Sequence, residues 1–218
     1  MSRHYTLNAE HAIAGSTTGY ARITQSGAYT GVFTKAKYVK AGTGAEGIEF
    51  TFKADDGREA NYLSLYTHNS SGGETYGYSQ LNALMACLKL REIKAQSMRV
   101  QEYDFGVKRE QAVMADAYPE LMNTPIGVVL QREEYNKRDG SVGESMNLVA
   151  FFNPETRQTG GEVIRQQPAG GIEVVIEGLK DKTLSKGAAT TTGSTAAPTT
   201  QSPSSTSANQ AFDDEIPF

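Results

Sequence analysis

The sequence of 218 residues has no tryptophan, one cysteine and three histidines. A lone Cys87 excludes a disulfide scaffold and suits a reducing compartment. Together with His4, His11 and His68 it is too sparse for a His/Cys zinc cage. No apolar run approaches the roughly 20 residues that cross a bilayer, so no membrane association is expected. The opening residues, MSRHYTLNAEHAIAG, lack the apolar core of a secretory signal, which makes the cytoplasm the expected location. There is no Walker motif, nucleophile elbow or H-E-x-x-H, and no repeat of 20–50 residues. No catalytic residue, cofactor or metal is therefore expected.

Basic residues are also missing from one stretch. Residues 187–218 contain no Lys or Arg, and their only charges are Asp213, Asp214 and Glu215. The remainder, 1–186, carries 21 basic and 22 acidic side chains, a net −1. The chain is thus a near-neutral body with an acidic end. Between them, residues 183–211 are dominated by Thr, Ser and Ala, with Leu184 the only large apolar side chain. Such a segment buries too little apolar surface to offset its ordering entropy and is expected to be a disordered linker. As a flexible coil of about 29 residues it would reach roughly 30 Å.

The last seven residues, FDDEIPF, change character again. A solubilising tail would not finish on an exposed aromatic. Acids followed by Ile216, Pro217 and Phe218 suit a short peptide ligand. Phe218 would fill an apolar pocket, its carboxylate would meet a cation, and Asp213, Asp214 and Glu215 would meet a basic rim. This ending, with the linker before it, resembles the acidic tip of bacterial and phage single-stranded DNA-binding proteins. The match covers about 35 residues, with Glu215 where the bacterial proteins usually carry a third Asp. The body does not match the bacterial housekeeping sequence, which points to a phage or prophage version. The resemblance implies an OB-fold body, single-stranded DNA as ligand, and replication, recombination or repair proteins as partners of the tip. Assembly as a homo-oligomer stays open.

The body (1–182) reads as mainly β. Strands are expected over 20–27, 28–40, 46–54 and 58–68, with Ser26-Gly27 and Asp55-Asp56-Gly57 as turns. A helix over 78–90, with Ser79 as N-cap, places Leu81, Leu84, Met85 and Leu88 on one stripe, and Cys87 beside it as a core thiol. Strands at 126–136 and 144–153 form a further hairpin, and 171–178 reads as a last strand. Of the adjacent Phe151 and Phe152, one is expected in the core. Strands, a helix, then a hairpin is an order compatible with the OB-fold, a β-barrel with one clear helix. The stretch 92–125 would be an insertion with a short helix at 107–117.

Binding a single strand needs cations for phosphates and aromatic faces for bases. Between residues 20 and 40 there are Arg22, Lys35, Lys37 and Lys40 and no acid, interleaved with Phe33 and Tyr38. Regular alternation would point Phe33, Lys35 and Lys37 to one side. Lys53, Arg58, Tyr62, Tyr66, Arg132 and Arg138 complete the candidates. If about four phosphates are neutralised, the log–log salt slope is about −3. The G-x-G-x-x-G at 42–47 precedes a strand and so lacks the helix dipole of a dinucleotide site. Two rivals remain: a recombination enzyme or annealing protein with the same tail, and a structural protein with a Ser/Thr stalk.

Overall fold

A computed structural model describes residues 22–184 except 105 and 138. The chain divides into two units, Met1–Leu184 and Ser185–Phe218. The second unit, with most of the expected linker and all of the tip, lies outside the described residues.

The elements run β1 (Gly27–Lys40), β2 (Glu46–Ala54), β3 (Glu59–His68), α1 (Tyr76–Cys87), β4 (Gln96–Asp104), β5 (Arg109–Ala117), a 3-10 turn (Pro119–Leu121), β6 (Pro125–Asn136), β7 (Val142–Phe152), α2 (Gly160–Arg165) and α3 (Gly171–Glu177). The body is mainly β, with every strand ladder antiparallel. β1 is central. Its first half pairs with β6 and its second with β2, while β5 touches it at the single pair Lys37↔Ala117. Hairpins β2–β3, β4–β5 and β6–β7 complete a seven-stranded sheet. Among the described residues no ladder joins β3 to β7, so the sheet stays open. The segment before β1 lies against this gap: Arg22 bridges Glu59, and the Ile23 N–H donates to the Glu59 carbonyl at 2.9 Å.

Two β-bulges decide which side chains are inside. β1 carries an extra residue at Thr34, between the pairs Phe33↔Phe52 and Lys35↔Thr51. Phe33 and Ala36 are therefore both fully buried. The Phe33 ring packs on Phe50 at 4.4 Å and Phe52 at 5.6 Å between centroids, and meets Phe151 edge-on. In β3, Asn61 and Tyr62 together face Thr51, and Tyr62 sits at φ 59°. Past this bulge Leu63 and Leu65 join the same core.

α1 covers one end of that core with Leu81, Leu84 and Cys87. It starts at Thr75, not Ser79, and the Thr75 hydroxyl donates to the Tyr66 carbonyl at 2.6 Å instead of capping. Gly77 permits this docking, since a Cβ there would lie 2.0 Å from the Tyr66 oxygen. The helix stops before residue 90 because Lys89 turns left-handed (φ 57°). The N–H groups of Lys89 and Leu90 then close on Ala86 and Met85, a Schellman motif with Leu90 tucked against the core.

Three further expectations are corrected. Residues 107–117 contain no helix; they are largely β5, whose helix-forming Glu, Gln, Met and Ala are overridden by a continuous ladder with β4. Residues 171–178 are not a strand. Ile172, Val175 and Ile176 use helical spacing in α3 to cover a second small core, leaving Val174 70% exposed. Phe151 and Phe152 are both buried, because the β6–β7 hairpin has apolar cover on each side: Phe151 joins the main core and Phe152 the one under α3. In addition, 20–27 is no independent strand where it is described: Arg22 makes a lone bridge and Gly27 already begins β1. At the other end, residues 181–184 still belong to the fold. Lys182 exchanges backbone bonds with β6, and the Leu184 N–H donates to Glu134.

Candidate nucleic-acid interface

The bulge at Thr34 divides the expected stripe. Phe33 goes into the core and offers no face to a base. Lys35 and Lys37 emerge on the opposite, outer side of the sheet, beside Glu49 of β2 and Tyr62 of β3. There the Lys35 ammonium lies 2.8 Å from Glu49 and 5.6 Å from the Tyr62 ring centre, and it is only 8% exposed. Lys37 pairs with Glu102 of β4. That contact shows where the β4–β5 hairpin goes. It parts from β1 at Ala117 and reaches over the outer face, with its own Val100 buried.

Most of the other predicted cations are also paired. Lys40 holds Glu46 at 2.8 Å across the β1–β2 ladder and keeps that carboxyl below its usual range; Tyr38 lies beside this pair. Arg58 donates twice to Asp56 in the β2–β3 turn, and its guanidinium lies 5.2 Å from the Tyr29 ring centre. Lys53 stands opposite Glu59, whose carboxyl is pushed up by burial and pulled back by Lys53. Arg132 is gripped by Glu144 at 2.6 Å, Glu134 at 3.1 Å and Asp181 at 3.3 Å, and so ties residue 181 to the β6–β7 hairpin. Its hydrogen bonds to Glu144 and Asp181 push the guanidinium further up. Arg138, like Asp213, Asp214, Glu215, Ile216, Pro217 and Phe218, falls outside the described residues. Arg22 differs from the rest: it is exposed and makes no ion pair among the described residues.

The aromatic half of the site is more open. Tyr62 is 51% and Tyr66 41% exposed, both on the outer side of β3. Burial, then the charges of Glu49 and Glu102, push the Tyr62 phenol up, so it stays protonated at neutral pH. A left-handed backbone at a bulky residue costs about 1–3 kcal/mol and persists where the surroundings over-determine it. Two aromatics were missed by sequence reasoning. Tyr103 of β4 is 44% exposed and close enough to Tyr62 to affect its titration. Tyr135 of β6 is 41% exposed, and its ring lies over Gly143, where a Cβ would come within 2.5 Å of it. The Y-x-x-x-x-x-x-x-G pairing across the 137–141 turn was the available signal for Tyr135.

Arg22, Tyr62 and Tyr135 line one cleft of about 140 Å³ at the open seam between β3 and β7. The described residues thus hold a self-neutralised lysine face, a line of exposed tyrosines and an unpaired arginine at one end. Chemically this surface can stack planar rings and exchange carboxylates for phosphates. Cys87 plays no part in it, since burial pushes its thiol up to about 12. No helix among the described residues is long and apolar enough to cross a membrane, and no cluster of three or more His, Cys, Asp or Glu there could hold a metal ion. The chain matches no protein-family model and no curated protein.

Proposed function

We propose that this chain is a non-enzymatic single-stranded DNA-binding protein of phage or bacterial origin. It coats and protects single strands during replication, recombination or repair and recruits partner proteins through its C-terminal tip. The observation that carries this reading is the ending itself, DDEIPF after a Ser/Thr/Ala linker. Flexible tethering of that tip raises the effective concentration of a partner at the DNA.

The body is read as an OB-fold with a β4–β5 insertion. Support comes from the neighbour order β3-β2-β1-β6-β7 and from α1 standing between β3 and the later strands. An OB-fold binds oligonucleotides on the face of its second and third strands. Here that face carries Tyr62 and Tyr66, with Lys35 and Lys37 beside them. A nuclease test follows. Saturating protein should shield a single-stranded oligonucleotide from a single-strand-specific nuclease and leave duplex cutting by a duplex-specific nuclease unchanged. Equal digestion with and without protein would overturn the reading. Protein-dependent, metal-requiring cleavage would favour the recombination-enzyme alternative.

A further inference from the structure

We propose that the cleft at the β3–β7 seam is a mononucleotide subsite, in which Arg22 takes a phosphate and the Tyr62 and Tyr135 rings take the base. The inference rests on the single-strand reading above and specifies where one nucleotide of the strand is held. Three observations converge on it. Arg22 is an exposed arginine without an ion-pair partner among the described residues; Arg91, Arg99, Arg109 and Arg165 share that state, but of these five Arg22 is the one that lines the cleft. Its backbone is fixed, because Ile23 beside it is 2% exposed and bonded to Glu59. A guanidinium so placed matches a phosphate with two parallel donors.

The second observation is the pair of rings. Tyr62 and Tyr135 come from strands on opposite sides of the seam and line the same cleft. Each is held by a specific local device: the left-handed bulge and the Lys35 ammonium for Tyr62, and the bare Gly143 surface for Tyr135. Neither device is needed to fill the core, since both rings remain about half exposed. Third, the lining suits one flat ring. Ile23 and Met146 supply apolar surface, and the volume of about 140 Å³ is well under the roughly 300–1,000 Å³ of small-molecule and cofactor pockets. Glu144 also lines the cleft; its carboxylate is hydrogen-bonded to Arg132, and that bond, then the charges of Arg132 and, more weakly, Arg22, hold it below its usual range, so a phosphate at Arg22 competes only with a through-space attraction. The phosphate is thereby assigned to the Arg22 side. A strand lying on Tyr66 and Tyr62 would end its path here.

The test is photocross-linking of the full chain to an oligonucleotide carrying one 5-iodo-deoxyuridine, with mass-spectrometric mapping. Binding is measured in parallel for Arg22→Gln, Tyr62→Ala and Tyr135→Ala. The expected result is cross-links at Tyr62 or Tyr135, and affinity reduced about 5-fold or more by either alanine. Arg22→Gln should weaken binding and flatten the salt slope by about 0.7. Cross-links found only at other residues, with tight binding by wild type, overturn the subsite and leave the single-strand reading standing. Absence of binding by wild type overturns both. If an alanine variant does not fold, the wild-type cross-link map decides alone.

Discussion

Replacing Glu102 by Gln should strengthen single-stranded DNA binding, although it removes an ion pair from the fold. Lys37 and Glu102 are partly exposed, with side chains 20% and 31% accessible. A phosphate reaching Lys37 must first displace the carboxylate. Such exposed pairs are worth about 0.2–1 kcal/mol, so freeing Lys37 should lower Kd by about 1.4- to 5-fold. One more neutralised phosphate also steepens the log–log salt slope by about 0.7 for single strands. The assay is a fluorescence titration of oligo-dT at several salt concentrations with wild type, Glu102→Gln, Lys37→Gln and the double variant. In the Lys37→Gln background most of the Glu102→Gln gain should disappear, because the two residues act through each other. Weaker binding by Glu102→Gln, or an unchanged slope, would refute the idea that this face is a phosphate track held neutral by its own acids.

Phe33→Ala should cost about 3–5 kcal/mol in denaturant unfolding, since the ring is fully buried against Phe50 and Phe52. Gly77→Ala should destabilise by about 1–3 kcal/mol because α1 must back away from the Tyr66 carbonyl, whereas Gly42→Ala, with nothing within 4 Å, should be near neutral. The Cys87 thiol, raised to about 12 in the fold, stays protonated where the unfolded chain ionises near 8.5. The unfolded state then binds fewer protons, so stability should fall by up to about 1.4 kcal/mol per pH unit between about pH 9 and the folded value of about 12, and no further above it. Cys87→Ala should abolish that component in paired melts. On the proposed reading, a chain truncated after residue 186 should bind DNA more tightly than the full chain at low salt, because it lacks Asp213, Asp214 and Glu215, whose charges repel phosphate; equal affinities would remove that effect from the account.

Much of the fold could be read from local pattern. Alternation in 46–54, the Asp55-Asp56-Gly57 turn and the apolar β6–β7 hairpin were legible because their signals are local: Ile48, Phe50 and Phe52 stay on one buried face of β2, and residues 126–130 of β6 form one buried apolar run. The failures have physical causes. A single extra residue at Thr34 reverses every later side chain in β1, and nothing in FTKAK announces it. The Ala-, Glu- and Met-containing β5 has helical propensity, yet its backbone is held by a full ladder with β4 and by the pair Lys37↔Ala117 with β1. Residues 171–178 fit both periods, and only the second core under α3 selects the helix. One signal was present and went unread: T-x-x-E at 159–162 is a capping box, with the Glu162 carboxylate accepting the Thr159 N–H at 2.8 Å. In the candidate site the residue types were legible but their pairing was not. The acids facing Lys35, Lys37 and Arg132 lie 14, 65 and up to 49 residues away in sequence. Burial of Lys35 follows from such a contact, whereas the placement of Tyr135 over Gly143 follows from the register of the β6–β7 hairpin.

The central claim is tested most directly by fluorescence anisotropy of labelled oligo-dT with the full chain, at low and moderate salt, with duplex DNA as the control. The account predicts saturable single-strand binding, a log–log salt slope of about −3, and weak duplex binding. No single-strand binding at low salt, or equal affinity for duplex, would contradict it.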